Sequence, residues 1–239
     1  MKAKIIHILC EGQTEQGFVE EVLRPYLQDN GITGVKGILI TTNKKKNARG
    51  GMLTYNHALT DLNLLQQTKI DGDYERHIFT TMFDLYALPD DFPGFEKRKT
   101  ISDPYFKVSN LEKDFADAIN DKRFIPYIQL HEFEALLFCG IEYIEKLYPG
   151  CEKRCGQLTQ ALQKVGNPEL INNSPETAPS KRIIKAIEGD KKTHYNYNKP
   201  KTGKFVTKHI GIDELRSKCK HFLPIIAFIN LKLLSSSSA

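Results

Sequence analysis

No apolar run in this 239-residue chain approaches the ~18 residues needed to cross a bilayer. The first apolar strand begins almost at the N-terminus and leaves no room for a secretory signal, so a cytoplasmic chain that does not enter a membrane is expected. The five cysteines, Cys10, Cys139, Cys151, Cys155 and Cys219, form an odd set without framework spacing, and reduced thiols are the simplest expectation. Cys151 and Cys155 fall one helical turn apart, but no nearby pair completes a zinc set. A Gly-x-x-x-x-Gly-Lys-Ser/Thr loop is missing, which argues against nucleotide hydrolysis by the chain itself. So is the Gly-x-Ser-x-Gly elbow of an α/β-hydrolase. No internal repeat is present.

What the chain does have is a set of acids where apolar runs stop. Ile5-Ile6-His7-Ile8-Leu9-Cys10 breaks into Glu11-Gly12-Gln13-Thr14-Glu15, after which Phe18, Val22 and Leu23 recur at helical spacing. A second run, His77 to Phe83, is followed at once by Asp84. In an open α/β sheet ligands bind outside the carboxyl ends of strands, so both carboxylates would face a site. Two such acids suit a hard divalent cation such as Mg²⁺ or Mn²⁺, with water and substrate phosphate completing its shell. Glu15, a helical turn on, lines the same pocket or merely complements the helix N-terminus. Glu11 reads equally as an ordinary exposed loop acid.

The first half alternates in the manner of a doubly wound parallel sheet. Strands are expected over 4–10, 35–41, 77–83 and 124–130. Helices are expected over 15–28, from about 54, over 110–120, and from His131-Glu132-Phe133-Glu134 onward. Beyond residue 140 the reading changes to helical pieces near 158–165, 181–188, 213–220 and 222–234, around a basic, weakly periodic stretch at 191–208. A frayed end is expected at Ser235 to Ser238. The organisation expected is therefore an α/β catalytic domain at 1–140 and a basic, mostly helical region at 141–239 packed on it. With apolar residues at 40% the core is ordinary.

Charge divides after Ser180: 21 basic against 25 acidic residues before it, and 13 against 4 after it. The basic set Lys181, Arg182, Lys199, Lys201, Lys204, Lys208 and His209, interleaved with Tyr195, Tyr197 and Phe205, would suit a single-stranded nucleic acid. An acidic protein partner would suit it almost as well. Lys44-Lys45-Lys46 with Arg49-Gly50-Gly51 could bind phosphates, although charged loops are usually just solvated. On a helix, Glu132 and Glu134 would point apart by roughly 200°, so at most one faces a metal. His131 contacts substrate or caps the strand end.

Seven stretches stand out together: Cys10-Glu11-Gly12-Gln13-Thr14-Glu15, Arg49-Gly50-Gly51, Thr81 to Pro89, Asp91-Phe92-Pro93-Gly94, His131 to Phe138, Pro179 to Ile183 and Lys208 to Ile212. In combination they resemble a Toprim-related domain-of-unknown-function family that includes the AriB effector of the PARIS anti-phage system. The resemblance implies a Toprim-like open parallel sheet with helices on both faces, and an ABC-type ATPase partner. It implies a strand-end Glu, matched by Glu11, and an Asp-x-Asp, of which only Asp84 is present because Tyr86 replaces the second acid.

The leading expectation is a Mg²⁺-dependent nuclease acting on RNA, including tRNA, or DNA in phage defence. Glu11, Asp84 and Glu134 would hold metal, and Glu15 would assist catalysis. Arg49, His131, Lys181, Arg182, Lys208 and His209 would bind substrate. The alternatives are a non-catalytic subunit of an ATPase, with a homodimer left open, and a metal-dependent phosphatase or phosphotransfer domain.

Overall fold

The computed structural model describes residues 2–43, 48–49, 51–171, 175–189 and 195–222, with backbone alone at 42, 43, 48, 49 and 175. Its strands are β1 Ala3–Cys10, β2 Gly34–Leu39, β3 Thr41–Asn43, β4 Ala48–Arg49, β5 Glu75–Asp84, β6 Phe124–Ile125 and β7 Ile128–Gln129. Five of them form one parallel sheet in the order β2-β1-β5-β6, with β7 also on β5. β3 and β4 make a separate antiparallel ribbon. β1 and β5 are buried over most of their length because both faces of the sheet are covered, as in a central parallel strand. Side chains alternate between two cores: Ile6, Ile8, Cys10, Ile78 and Met82 point to one, and Leu9, Phe79 and Phe83 to the other.

Helices cover both faces. Helix α1 spans 13–29, with a π-helical Val19–Leu23 set between α-helical Gln13–Phe18 and Arg24–Asp29. The others are α2 Tyr55–Thr68, α3 Pro104–Ile119, α4 Ile141–Leu147, α5 Glu152–Val165, α6 Pro179–Glu188, α7 Lys199–Ile210 and α8 Ile212–Lys218. Helices α2 and α3 pack Leu62, Leu111 and Phe115 on Phe79 and Phe83. On the opposite face α1 and the later helices share a core with the sheet that includes Phe18, Phe133, Ile183, Val206 and Phe222. No helix among the described residues is long and apolar enough to cross a membrane.

The structure departs from the sequence reading at several places, each with a local cause. The fourth expected strand is split into β6 and β7 around Pro126, which has no N–H for a ladder. Helix α3 starts six residues early, at Pro104, because Asp103 caps it by accepting from Phe106 N and proline is favoured at a first turn. The segment opening at Phe133 is a 3-10 helix, Phe133–Gly140, rather than an α-helix. Half of the weakly periodic stretch is α7, capped by Asn198, whose side chain accepts from Lys201 N. The lysine loop at 44–46, the helix expected over 222–234 and the serine end fall outside the described residues, except for Phe222.

Gly203 explains how α7 reaches its place. A Cβ there would stand 2.8 Å from Phe133 Cε1 and 2.8 Å from Thr14 Cγ2, so the helix backbone lies directly against α1 and the 3-10 segment. In an open helix Gly→Ala stabilises by about 0.5–1 kcal/mol. Here Gly203→Ala is expected to destabilise by about 1–3 kcal/mol, the cost of overpacking. Urea unfolding measures the sign directly, and a stabilised variant would mean that the contact is looser than this.

Candidate functional site

β1 and β5 lie side by side in parallel register, from Ala3 opposite Glu75 to Cys10 opposite Met82. The chain leaves β1 for β2 on one side and later returns as β5 on the other. The carboxyl ends of these two strands therefore flank the point where strand order reverses, the usual ligand crevice of such sheets. Glu11 follows β1 directly, and Asp84 closes β5. Glu11 N donates to Met82 O at 3.2 Å, and Asp84 N donates to Glu11 Oε2 at 3.1 Å. The two acids are thus tied across the ladder rather than loose in solvent.

Two more carboxylates join them. Glu15 turns back from α1 over Gly12, where a Cβ would come within 2.9 Å of Glu15 Oε2. Asp84 Oδ1 accepts from Phe133 N at 2.8 Å, which brings the start of the 3-10 helix, with Glu134, against the strand end. Lys199, the first residue of α7, enters this cluster. Its Nζ stands 3.1 Å from Glu134 Oε2, 3.5 Å from Asp84 Oδ2 and 3.9 Å from Glu15 Oε1. Tyr197 OH donates to the other Glu134 oxygen at 3.1 Å. The sequence reading placed Lys199 among phosphate-binding lysines; the structure instead makes it the counter-charge of the acids.

Burial dominates the electrostatics. Glu134 is 0% exposed, Glu15 3% and Asp84 6%. Loss of solvent raises the Glu11 carboxyl to about 7, with Glu15 and Glu134 adding to the rise and the Asp84 amide and Lys199 opposing it. Burial, reinforced by Glu15, Glu11 and Glu134, also lifts Asp84 well above the usual carboxylate range, against the pull of Lys199. Glu134 is raised chiefly by burial. Burial works against the charge on Lys199 as well, but the combined attraction of Asp84, Glu134 and Glu15 outweighs it and holds the ammonium above its ordinary value.

The donor set is all carboxylate oxygen, which is the chemistry of Mg²⁺ or Mn²⁺ sites. Glu15 Oε1 is buried with no hydrogen-bond partner, as an oxygen reserved for a cation would be. No three His, Cys, Asp or Glu side chains among the described residues are arranged as a metal-binding set. The residues fit a hard cation in kind, and Lys199 Nζ stands among them.

The remaining candidates lie apart from this cluster. Glu132 points the other way and accepts from Ser180 N and Ser180 Oγ at the start of α6. His131, with φ 65°, carries its ring 5.4 Å from that of Tyr86. Burial and Lys107 push its pKa down to about 4, so it is neutral at pH 7. Arg182 Nε donates to Thr177 O, and its side chain lines a separate cavity with Gln157 and Lys164. Lys181 and Lys208 are exposed, and His209 packs on Phe205 at 4.2 Å. Lys204 is paired with Glu21 at 2.8 Å. The Arg49 side chain falls outside the described residues. Lys199 and Tyr197 are the cluster members that sequence reasoning did not assign to it. The Asn198-Lys199-Pro200 signature of a capped helix start was the available signal.

A family model described as a domain of unknown function, DUF4276, matches residues 10–229. The chain belongs to this family. The match takes in all four carboxylates and Lys199. Among solved structures the chain is similar to the C-terminal region of the Burkholderia pseudomallei OLD protein, with 16% identity, 94% of this chain and 96% of that chain covered, and a TM-score of 0.41. The corresponding region of the Xanthomonas campestris pv. campestris OLD protein gives 18% identity, 95% coverage of both chains and a TM-score of 0.37. No curated protein matches the chain.

The raised Glu11 value has a consequence for stability. Folding favours its neutral form, so its contribution is full below about 4.5 and is lost as pH rises through about 7. Glu11→Gln keeps the neutral form at every pH. Without divalent metal, the variant should match wild type near pH 4.5 and exceed it at pH 8 by about 2 kcal/mol, given 1.36 kcal/mol per unit and partial screening. Superimposable denaturation curves at pH 8 would refute this electrostatic picture.

Proposed function

We propose that this chain is a Toprim-like, Mg²⁺- or Mn²⁺-dependent nuclease that hydrolyses phosphodiesters of RNA, including tRNA, or DNA. The observation that carries the reading is the convergence of Glu15, Asp84 and Glu134 on one cation, with Glu11 hydrogen-bonded to Asp84, at the carboxyl edge of the sheet. Burying several acids together is costly, and clusters of this kind concentrate at functional sites. The Toprim resemblance of the Glu11 and Asp84 segments points the same way. A cytoplasmic defence effector working with an ABC-type ATPase partner is the setting that this resemblance suggests.

Glu11, Asp84 and Glu134 would hold the ion, which when bound would stabilise charge on a phosphoryl oxygen and acidify a water. Glu11, raised to about 7 in the metal-free chain, would be held ionised by a bound cation. The tie from Asp84 N keeps one Glu11 oxygen fixed, so the other is the atom available to the ion. Glu15 closes the site from α1. Lys199 offsets one negative charge in the metal-free chain, and an ammonium released from the acids is the nearest cation for a substrate phosphate.

A second reading, a non-catalytic subunit, is favoured by two observations: Lys199 already occupies the centre of the acids, and Tyr86 stands where a second acid would sit. Measurement separates the two. Glu11→Gln and Asp84→Asn should each lower Mg²⁺-dependent cleavage of a mixed RNA and DNA panel by about 100-fold or more, the scale for removing one preorganised electrostatic group. Both should remain folded by thermal melt. Lys199→Gln should tighten Mn²⁺ binding, followed by electron paramagnetic resonance, by about tenfold. Full activity in both carboxylate variants would sink the nuclease reading. Failure of wild type and Lys199→Gln alike to bind Mn²⁺ would favour the subunit.

A further inference from the structure

The two strand ends that supply Asp84 and Glu134 also supply a second site. Beyond Asp84 the chain continues through Leu85 to Tyr86, and ahead of Phe133 lies His131. Tyr86 N donates to His131 O at 3.0 Å, so the two segments are fastened together just outside the carboxylate cluster. Here they wall a cavity of about 330 Å³ whose remaining charged lining is Arg98, Lys99 and Lys107. Among the described residues no carboxylate lines it. A volume of this size is at the lower end for small-ligand pockets.

The cations are differently committed. Arg98 is fixed, its Nη1 donating to Leu85 O at 3.1 Å and its guanidinium lying 3.6 Å over the Phe95 ring. Lys99 pairs with exposed Glu96 at 2.7 Å, a surface contact worth little against a phosphate. Lys107 has no carboxylate partner among the described residues. Asp90 and Glu96 face Arg98 from outside the cavity lining. His131 is only 8% exposed, and its Nδ1 has no hydrogen-bond partner. Tyr86 is 42% exposed, with its ring 5.4 Å from that of His131.

We propose that this cavity is a subsite for the nucleotide flanking the scissile phosphate of a single nucleic-acid strand. Lys99 and Lys107 contact its phosphodiester, Arg98 fixes the wall, His131 offers Nδ1, and a base stacks on Tyr86. Positive charge over the backbone with an aromatic platform under a base is the general chemistry of single-strand binding. The subsite rests on the nuclease reading, and it moves substrate contact away from Lys181, Arg182 and Lys208. It also gives Tyr86 a use at the position where a second acid is missing.

The test uses the whole chain carrying Glu11→Gln, so that cleavage is suppressed. Fluorescence anisotropy follows binding of a labelled 12-nucleotide single strand, as RNA and as DNA, across a potassium chloride series. Adding Lys99→Gln and Lys107→Gln should weaken binding by about tenfold near 0.1 M salt. It should also make the log–log salt slope shallower by about 1.4, two phosphate contacts at ~0.7 each. Tyr86→Ala should weaken binding and leave the slope unchanged, because stacking releases no counterion. Lys181→Gln with Lys208→Gln should leave both as they were.

A Lys99/Lys107 variant that binds like its parent overturns the subsite while leaving the nuclease reading intact. A parent that binds neither strand at any salt overturns both. Uridine monophosphate or inorganic phosphate binding that depends on Lys99 and Lys107, with the 12-nucleotide strands unaffected, would make this a small-anion site and would also overturn the proposal. Lys107→Gln alone, which removes no ion pair, guards against a double variant that fails to fold.

Discussion

The hydrogen bond from Asp84 N to Glu11 Oε2 is the constraint on which the site depends. It exists because β1 and β5 are neighbours in parallel register over eight pairs, which brings two strand ends level at one edge of the sheet. Had the register slipped by one residue, every side chain of β5 would have changed faces and the two apolar cores would have been lost. The packing that stabilises the sheet is therefore the same packing that fixes the acids. Asp84 then passes the order on: its Oδ1 holds Phe133 N, which sets where Glu134 sits.

Holding these acids together works against folding. Each has been taken from water, and each of Glu11, Asp84 and Glu134 responds with a raised pKa whose first cause is burial. The fold meets that cost with a single ammonium and with the phenol of Tyr197, both delivered by the start of α7 and the residues before it. Delivery requires α7 to lie tightly on α1 and the 3-10 segment, and only a residue without a Cβ allows it at Gly203. A small residue in the basic half thus serves the electrostatics of the first. Buried pairs of this kind are weak sources of stability, since desolvation offsets most of their attraction. Their persistence here is better explained by use than by strength.

Much of this was legible in the sequence. β1 and β5 are β-branched and apolar, and such runs have few alternatives to a covered parallel strand. Abrupt acids after each run marked the edge, and the two-residue offset of Glu132 and Glu134 separated their directions even though the segment is 3-10 rather than α. Lys199 was not legible, because a lysine in a basic stretch reads as solvated and nothing local shows which charges it will meet. Helix α7 was hidden by Pro200 and Gly203, which lower helix propensity while being suited to its first turn and its close contact. The basic cavity is assembled from a turn, a helix start and two strand ends, so no window of sequence contains it.

The two sites divide the chemistry by sign along one pair of strand ends. Acids lie inward, where burial raises their affinity for a proton, and cations lie outward around the cavity. Lys199 is the exception, a cation set among acids, and its raised pKa means that it does not yield by losing its proton. It can leave only by movement of its side chain or of α7. Helix α7 is held at its start by the Asn198 cap and along its length by the Gly203 contact, so the long lysine side chain is the softer element. The state of the site therefore turns on which cation the carboxylates hold, and that choice is made by a side chain rather than by the fold.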